Sequence, residues 1–275
     1  MKFRYILIIF IGILVSMSSC KKYRHEEFGK DLAKAFKSKE YKNFDTTAYY
    51  TVFKEQLKKE KGTIHHPVWL SKIYDSEEQG LTLIGNFLVN GEIDTLARFL
   101  RTSMYHGLDP KYFHSEKIDQ LLQQVKETKF KSVEESYPLL AQLEILSADG
   151  LINYSNILKY GAINPKNIYG RYYVKVERPD LIDSQKSLDQ LELAEFLKEI
   201  QPKNGYYQRL QNVLINKAQI SNEEREKVYL TMERLRWPTK EYPSKYLLVN
   251  IPEFKLRMIE GNKSKLEMSV CVGET

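Results

Sequence analysis

The apolar residues of this chain change from a helical period to a period of two near residue 240, and this change constrains the fold more than any other feature. Before it, Ser221 and Glu224 form a capping box that predicts the start of a helix, and Pro238 predicts its end. The apolar stripe of this helix consists of Val228, Met232 and Leu235. After it, three alternating runs predict β-strands: YLLVNI from Tyr246, FKLRMI from Phe254 and KLEMSVCV from Lys265.

Turn-forming residues separate the three runs. Pro252 lies between the first and the second, and Gly261 lies between the second and the third, where it accepts a positive φ at little steric cost. In the last run, alternation places four apolar residues on one face, and we expect this face and the strand's edge to lack a partner within the chain. These residues are Leu266, Met268, Val270 and Val272.

Upstream of the capping box the periodicity is helical, so the sequence predicts an α+β protein that is mostly an α-helical bundle. One predicted helix is capped by Ser187 with Gln190 and buries Leu188, Leu191 and Leu197. Gly150 lies within a long apolar helix, where it indicates a bend or a close helix contact. This helix is predicted over Pro138 to Tyr160. Two further helices are predicted, one from Ser115 onward and one over Glu92 to Tyr105 with the stripe Ile93, Leu96, Ala97, Leu100 and Met104.

The first twenty of the 275 residues have the pattern of a lipoprotein signal. Lys2 and Arg4 precede a short apolar run, and Met17-Ser18-Ser19 precedes Cys20. The run reaches about half of the roughly twenty apolar residues that a membrane span needs. We therefore expect lipid attachment at Cys20 and an envelope protein held at a membrane. The formal net charge is +6, or +4 without Lys2 and Arg4 of the signal. This mild excess is compatible with an anionic wall polymer or an acidic membrane surface, but it is too small and too scattered to indicate a nucleic-acid partner.

Cys271 is the second of the two cysteines and therefore the only candidate thiol nucleophile in the mature chain. No histidine follows His114, so no base is near Cys271 in the sequence, although a distant histidine could fold close to it. A surface strand residue is the favoured interpretation. We expect no catalytic residue in this chain.

The sequence predicts neither a metal site nor a cofactor. His65 and His66 are adjacent rather than three or four residues apart, and no cysteine accompanies them. We interpret the histidines as exposed loop residues, with His106 in a structural role at a helix end. The other two are His25 and His114. Adjacent glutamate pairs point about 100° apart on a helix and do not indicate a glycosidase, although separated carboxylates could still meet in the fold. No phosphate-binding glycine motif is present.

Several ordered segments resemble the large envelope L,D-transpeptidases. The strongest lie near the end of the chain, and weaker ones lie upstream. They are ERLRW from Glu233, VNIPEFKLRM from Val249, VCVG from Val270, YHGLDPKYF from Tyr105, YSNILKYGAINP from Tyr154 and QPKNGYYQRLQNVL from Gln201. The family's Ser-x-Gly-Cys-Arg type segment, which carries the nucleophile, does not occur in the sequence.

The residue pattern predicts a lipoprotein signal over residues 1–19 and a charged linker over 20–45. The resemblance implies a helical scaffold over 46–240 and the first part of a β-rich transpeptidase domain over 241–275. It implies a peptidoglycan L,D-transpeptidase that acts on stem peptides and faces the periplasm. Without its catalytic cysteine this portion is expected to be inactive alone. The alternative is a non-enzymatic envelope lipoprotein module that binds peptidoglycan or a protein partner.

Overall fold

A computed structural model describes residues 25–77, 80–168, 176–216, 219–238, 243–261 and 263–273. The chain divides into two compact units, Met1–Trp237 and Pro238–Thr275. The first is helical and the second contains a small antiparallel sheet, which confirms the predicted α+β class. The signal segment and Cys20 lie outside the described residues. Among those residues, no helix has the length and apolarity to cross a membrane.

Eleven α-helices occur in the described residues. They are α1 (His25–Ala35), α2 (Thr46–Glu60), α3 (Pro67–Glu77), α4 (Ile84–Phe87), α5 (Glu92–Arg101), α6 (Ser115–Glu127), α7 (Tyr137–Tyr160), α8 (Leu181–Leu188), α9 (Leu193–Glu199), α10 (Gly205–Ile215) and α11 (Asn222–Arg236). Five short 3-10 turns lie between them, at Lys39–Asn43, Thr102–His106, Pro110–Phe113, Val133–Ser136 and Pro165–Asn167.

Helix α7 forms the centre of the helical unit. It is buried along almost its whole length, as expected for a helix that is apolar on all sides, and it packs against α2, α5, α6 and α8. Gly150 marks a close contact. A Cβ at this position would lie 2.9 Å from both the Leu100 side chain and the Phe113 carbonyl oxygen. The glycine therefore allows α7 to approach α5 and the 3-10 turn before α6.

Two details of the predicted helices are wrong. Helix α5 ends at Arg101 and continues as a tighter 3-10 turn, so Met104 leaves the apolar stripe and is exposed. The helix predicted to start at Ser187 is two short helices, α8 and α9, with Ser187 inside the first. Leu191 lies between them and is 75% exposed, whereas Leu188 and Leu197 are buried as predicted.

The last helix, α11, begins and ends as predicted. The Ser221 hydroxyl accepts the backbone N–H of Glu224, and the Glu224 carboxylate accepts the backbone N–H of Ser221. Met232 is fully buried in a small apolar cluster with Tyr207 and Leu214 of α10. Val228 and Leu235 pack at the edge of that cluster, so the predicted stripe is confirmed.

The second unit is a sheet of three antiparallel strands in the order β1 (Lys245–Asn250), β2 (Lys255–Glu260) and β3 (Lys263–Ser269). Gly261 has the predicted positive φ in the β2–β3 hairpin. Strand β3 ends at Ser269, so Val270 and Val272 lie beyond it. The register places six apolar residues on one face, in the rows Leu247–Met258–Leu266 and Val249–Leu256–Met268. On the other face, Glu267 forms ion pairs with Lys255 and Arg257. Leu266 and Met268 are about half exposed, and the described residues of this unit form one three-stranded sheet.

Candidate functional site

Buried polar side chains of the helical unit form two clusters that hold distant parts of the chain together. We call the first the carboxylate hub, which consists of Glu233, Arg236, Trp237, His106 and Tyr207. We call the second the histidine–aspartate cluster, which consists of His65, His114 and Asp149.

Glu233 is the acceptor at the centre of the carboxylate hub. Its Oε1 accepts hydrogen bonds from the Ile163 backbone N–H at 2.8 Å and from the Trp237 indole N–H at 2.9 Å. Its Oε2 accepts from the Arg236 guanidinium at 2.8 Å and from the Ala162 backbone N–H at 3.2 Å. Burial raises the pKa of Glu233, but these donors and the positive charge of Arg236 outweigh it, so the net pKa is lowered.

Arg236 extends the hub to two other elements. One of its nitrogens donates to the His106 carbonyl oxygen at 2.8 Å and to the Tyr207 hydroxyl at 3.0 Å. Glu233 and Arg236 share a face of α11 because residues three apart are neighbours on a helix. The hub thus joins α11 to α10, to the 3-10 turn after α5 and to the loop after α7.

Gly161 lets the loop after α7 approach the hub. It has φ +76°, and a Cβ there would lie 2.5 Å from the Trp237 ring and 2.7 Å from Glu233 Oε1. Glycine is required both for the positive φ and for the space. The ERLRW segment, which carries the strongest part of the family resemblance, therefore forms the buried junction at the end of the helical unit.

His106 is buried within the hub. Its Nδ1 lies 2.9 Å from the Tyr207 hydroxyl, and its Nε2 lies 3.1 Å from the Gln211 amide nitrogen. Burial, with a smaller effect from the Arg236 cation, lowers the pKa of His106 to about 4. The ring is therefore neutral near pH 7, and its buried position is consistent with the structural role predicted for it.

The histidine–aspartate cluster brings together residues from three separate elements. Asp149 is fully buried in α7, His65 lies in the turn between α2 and α3, and His114 joins a 3-10 turn to α6. Asp149 Oδ2 lies 2.8 Å from His65 Nδ1 and 2.8 Å from His114 Nε2. Asp149 Oδ1 accepts the backbone N–H groups of His65 and His66 at 3.0 and 3.3 Å.

Electrostatics and packing fix this cluster. Burial raises the pKa of Asp149, but the hydrogen bonds and charges of His114 and His65 lower it to about 2. The Tyr112 ring packs on the His65 ring with centroids 4.0 Å apart. His114 has φ +57°, a conformation that residues other than glycine rarely adopt.

The expectation of exposed loop histidines is wrong for His65, His66 and His114, which are half-buried, while the His25 side chain lies outside the described part of the chain. The cluster was missed because its members are 84 and 35 residues apart in the chain. One sequence signal could have indicated it. Asp149 is a charged residue in the middle of a long apolar helix, and such a residue needs buried partners.

Another buried carboxylate, Glu144 of α7, anchors the segment that leads into α4. It accepts the Tyr74 hydroxyl at 2.6 Å and the backbone N–H groups of Leu83 at 2.9 Å and Ile84 at 2.6 Å. Burial is the dominant effect and raises the pKa of Glu144 to about 7, although these donors oppose it.

Cys271, in the sheet unit, is an exposed free cysteine that follows β3. The sheet unit contains no histidine in its sequence. Its surroundings in the sheet unit therefore offer no imidazole base for thiolate chemistry, and the prediction of a surface role remains the better interpretation.

Comparison with known proteins assigns the helical unit to a family. A family model described as the Scaffold domain matches residues 68–214, more than half of the chain. The match runs from the start of α3 to the end of α10, and it includes His114 and Asp149 but not His65. Comparison with curated proteins and with solved structures returned no match. The chain belongs to the Scaffold domain family, the N-terminal scaffold of L,D-transpeptidases.

Proposed function

We propose that this chain is the scaffold-bearing part of a peptidoglycan L,D-transpeptidase, a cysteine acyltransferase that cross-links stem peptides. The observation that carries the proposal is the family match over residues 68–214, in a chain that continues from the scaffold into a β-sheet. The scaffold's role is to hold its last residue, Trp237, in a fixed position. The carboxylate hub does this, because the Trp237 indole N–H donates a hydrogen bond to Glu233.

The sheet supports the part of the proposal that concerns a β-rich transpeptidase domain. Its exposed apolar face contains the rows Leu247–Met258–Leu266 and Val249–Leu256–Met268. A sheet with one apolar face is stable when a second layer covers that face. We assign the covering layer to the remainder of a β-rich transpeptidase domain.

The chemistry proposed for the whole enzyme is a two-step acyl transfer. A cysteine thiolate attacks the carbonyl that precedes the terminal D-alanine of a tetrapeptide stem, forms a thioester and releases D-alanine. The side-chain amine of a second stem then attacks the thioester, restores the thiol and creates a link between two diaminopimelate residues. Cys271 is not assigned as this nucleophile, because it lies on a surface segment without a neighbouring imidazole in its unit.

We propose an envelope location for the protein, with lipid attachment at Cys20 and the scaffold facing the periplasm. Its partners would be peptidoglycan stem peptides and the membrane that holds the lipid. The basic start, short apolar run and small residues before Cys20 support this part of the proposal. A Cys20→Ala variant should leave the membrane fraction, and retention there would contradict the lipid anchor.

Muropeptide analysis in the native host tests the assignment. Deleting the reading frame, in a strain without other L,D-transpeptidases, should remove the diaminopimelate–diaminopimelate cross-links, and the wild-type locus should restore them. A locus with Cys271→Ala should restore them equally. The purified 275-residue chain should not exchange D-amino acids on muropeptides. Exchange that disappears in Cys271→Ala would overturn the account of the nucleophile. Unchanged cross-links, together with sedimentation of the purified chain with sacculi, would favour the non-enzymatic module.

A further inference from the structure

The histidine–aspartate cluster has the donor set of a metal site. One ligand atom from each of His65, His114 and Asp149 lies within 4.8 Å of the others. Two imidazole nitrogens and one carboxylate oxygen are the donors of zinc sites that keep a fourth position for water. We propose that His65 Nδ1, His114 Nε2 and Asp149 Oδ2 bind a divalent transition metal, with Zn²⁺ as the best-matched ion. The proposal is independent of the transpeptidase assignment.

The surroundings orient the three ligand atoms. Asp149 Oδ1 is held by the backbone N–H groups of His65 and His66, so that Oδ2 faces both imidazole rings. Hydrogen bonds of this kind fix a ligating carboxylate, and such outer contacts contribute about 10–100-fold to metal affinity. The Tyr112 ring packs on the His65 ring and restricts its rotation.

The distances leave a small adjustment for metal binding. Each ring nitrogen lies 2.8 Å from Asp149 Oδ2. Ligand atoms about 2.0–2.1 Å from a tetrahedral zinc are separated by roughly 3.3 Å, so each nitrogen–oxygen distance must lengthen by about half an ångström. The two ring nitrogens, which lie within 4.8 Å of each other, must come to the same separation. The His65 side chain can make this movement because it lies in a turn and is 25% exposed. The same exposure gives the ion access from solvent, while Asp149 is fully buried.

Metal binding would replace two hydrogen bonds with three coordination bonds. In the geometry without an ion, each ring nitrogen can donate its proton to Asp149 Oδ2. To coordinate, each neutral imidazole must present its lone pair at that nitrogen and carry its proton on the other one. The ion would then link the turn before α3, the start of α6 and the middle of α7, and so stabilise the centre of the scaffold.

Titration of the EDTA-treated full chain with ZnCl₂ by calorimetry tests the proposal. We expect one ion per chain, with a Kd of about 1 μM or tighter. His65→Gln and His114→Gln should each weaken binding by about 100-fold or more, because glutamine can retain a hydrogen bond to Asp149 but is a poor zinc ligand. His66→Gln is the matched control, because it keeps the backbone N–H that contacts Asp149 and removes only a ring that stacks on Trp69. It should change the Kd by less than about threefold.

Two further measurements separate loss of a ligand from loss of the fold. Circular dichroism must show the wild-type helix content for each variant that is compared. Cobalt(II) should give the intense visible bands of a four-coordinate site in the wild type and in His66→Gln, but not in His114→Gln. Absence of zinc binding below about 100 μM in the wild type, or equal Kd values for the wild type and His114→Gln, would overturn the proposal.

Discussion

Two buried groups, Glu144 and His106, are expected to change the free energy of unfolding in opposite directions as the pH falls from 7 to 4. Glu144 is buried in α7 with a pKa raised from 4.5 to about 7. His106 is buried in the carboxylate hub with a pKa lowered from 6.5 to about 4. Each shift of one pKa unit corresponds to about 1.4 kcal/mol between the two protonation states. Each group should therefore change the free energy of unfolding by about 3 kcal/mol across the pH range between its ordinary pKa and its shifted pKa.

The sign differs because one group is an acid with a raised pKa and the other is a base with a lowered pKa. Between pH 4.5 and 7 the unfolded chain releases the Glu144 proton while the folded protein retains it, so the Glu144 contribution to stability is lost as the pH rises. Between pH 6.5 and 4 the unfolded chain binds a proton at His106 while the folded protein does not. The His106 contribution to stability is therefore lost as the pH falls.

Urea unfolding of the wild type and two variants, measured from pH 4.5 to 7.5, separates the two effects. In Glu144→Gln the acid is removed, so stability relative to the wild type should improve by about 3 kcal/mol as the pH rises over this range. In His106→Gln the base is removed, and stability relative to the wild type should improve by about 2 to 3 kcal/mol as the pH falls. Over pH 4.5–6.5 the Glu144 and His106 contributions to the stability of the wild type should largely cancel, because they oppose each other.

Glu144→Gln should also lower stability at every pH below 7, because the amide nitrogen of glutamine would face the backbone N–H groups of Leu83 or Ile84. Glu223→Gln is the matched control, since Glu223 is exposed on α11 and its removal should leave the pH dependence unchanged. A constant difference between the wild type and Glu144→Gln across pH 4.5–7.5 would refute the assigned burial effect.

Three further substitutions test the packing of the helical unit, each by urea unfolding at pH 7.5. Arg236→Met should lower the free energy of unfolding by about 3–5 kcal/mol, because it leaves a buried carboxylate without its cation. Lys227→Met, at an exposed ion pair, should lower it by less than about 0.5 kcal/mol. Similar losses in the two variants would contradict the stabilising role of the carboxylate hub. Gly161→Ala should cost about 2–4 kcal/mol through its positive φ and its contact with the hub, while Gly62→Ala, in open space, should be neutral or stabilising. Leu191→Ser should change the free energy of unfolding by less than about 0.5 kcal/mol, because the side chain is 75% exposed. A large loss of stability would instead support the single helix predicted from the sequence, in which Leu191 is buried.

Most of the secondary structure could be predicted because its causes are local. The capping box at Ser221, the apolar run of α7 and the positive φ at Gly261 each depend on residues within one turn or one hairpin. The errors also have a local reason. Leu191 fits a helical period, yet two short helices with a break between them satisfy the same apolar positions at Leu188 and Leu197.

The buried polar clusters could not be predicted, because their partners are set by packing rather than by spacing. The ERLRW segment contributed to the family resemblance, but only the fold showed that Glu233 and Arg236 within it bind the loop after α7 and the 3-10 turn at His106. His65 and Asp149 are 84 residues apart, and no period connects them.

Hydrophobic period, caps and turn residues act over a few positions, so the helical scaffold, the three strands and the change between them follow from local sequence. Packing sets which ionisable groups are neutral, which are charged and which face one another. Those properties depend on burial and on distances of about 3 Å between side chains from separate elements, so only the packing of α7 against its neighbours could set them.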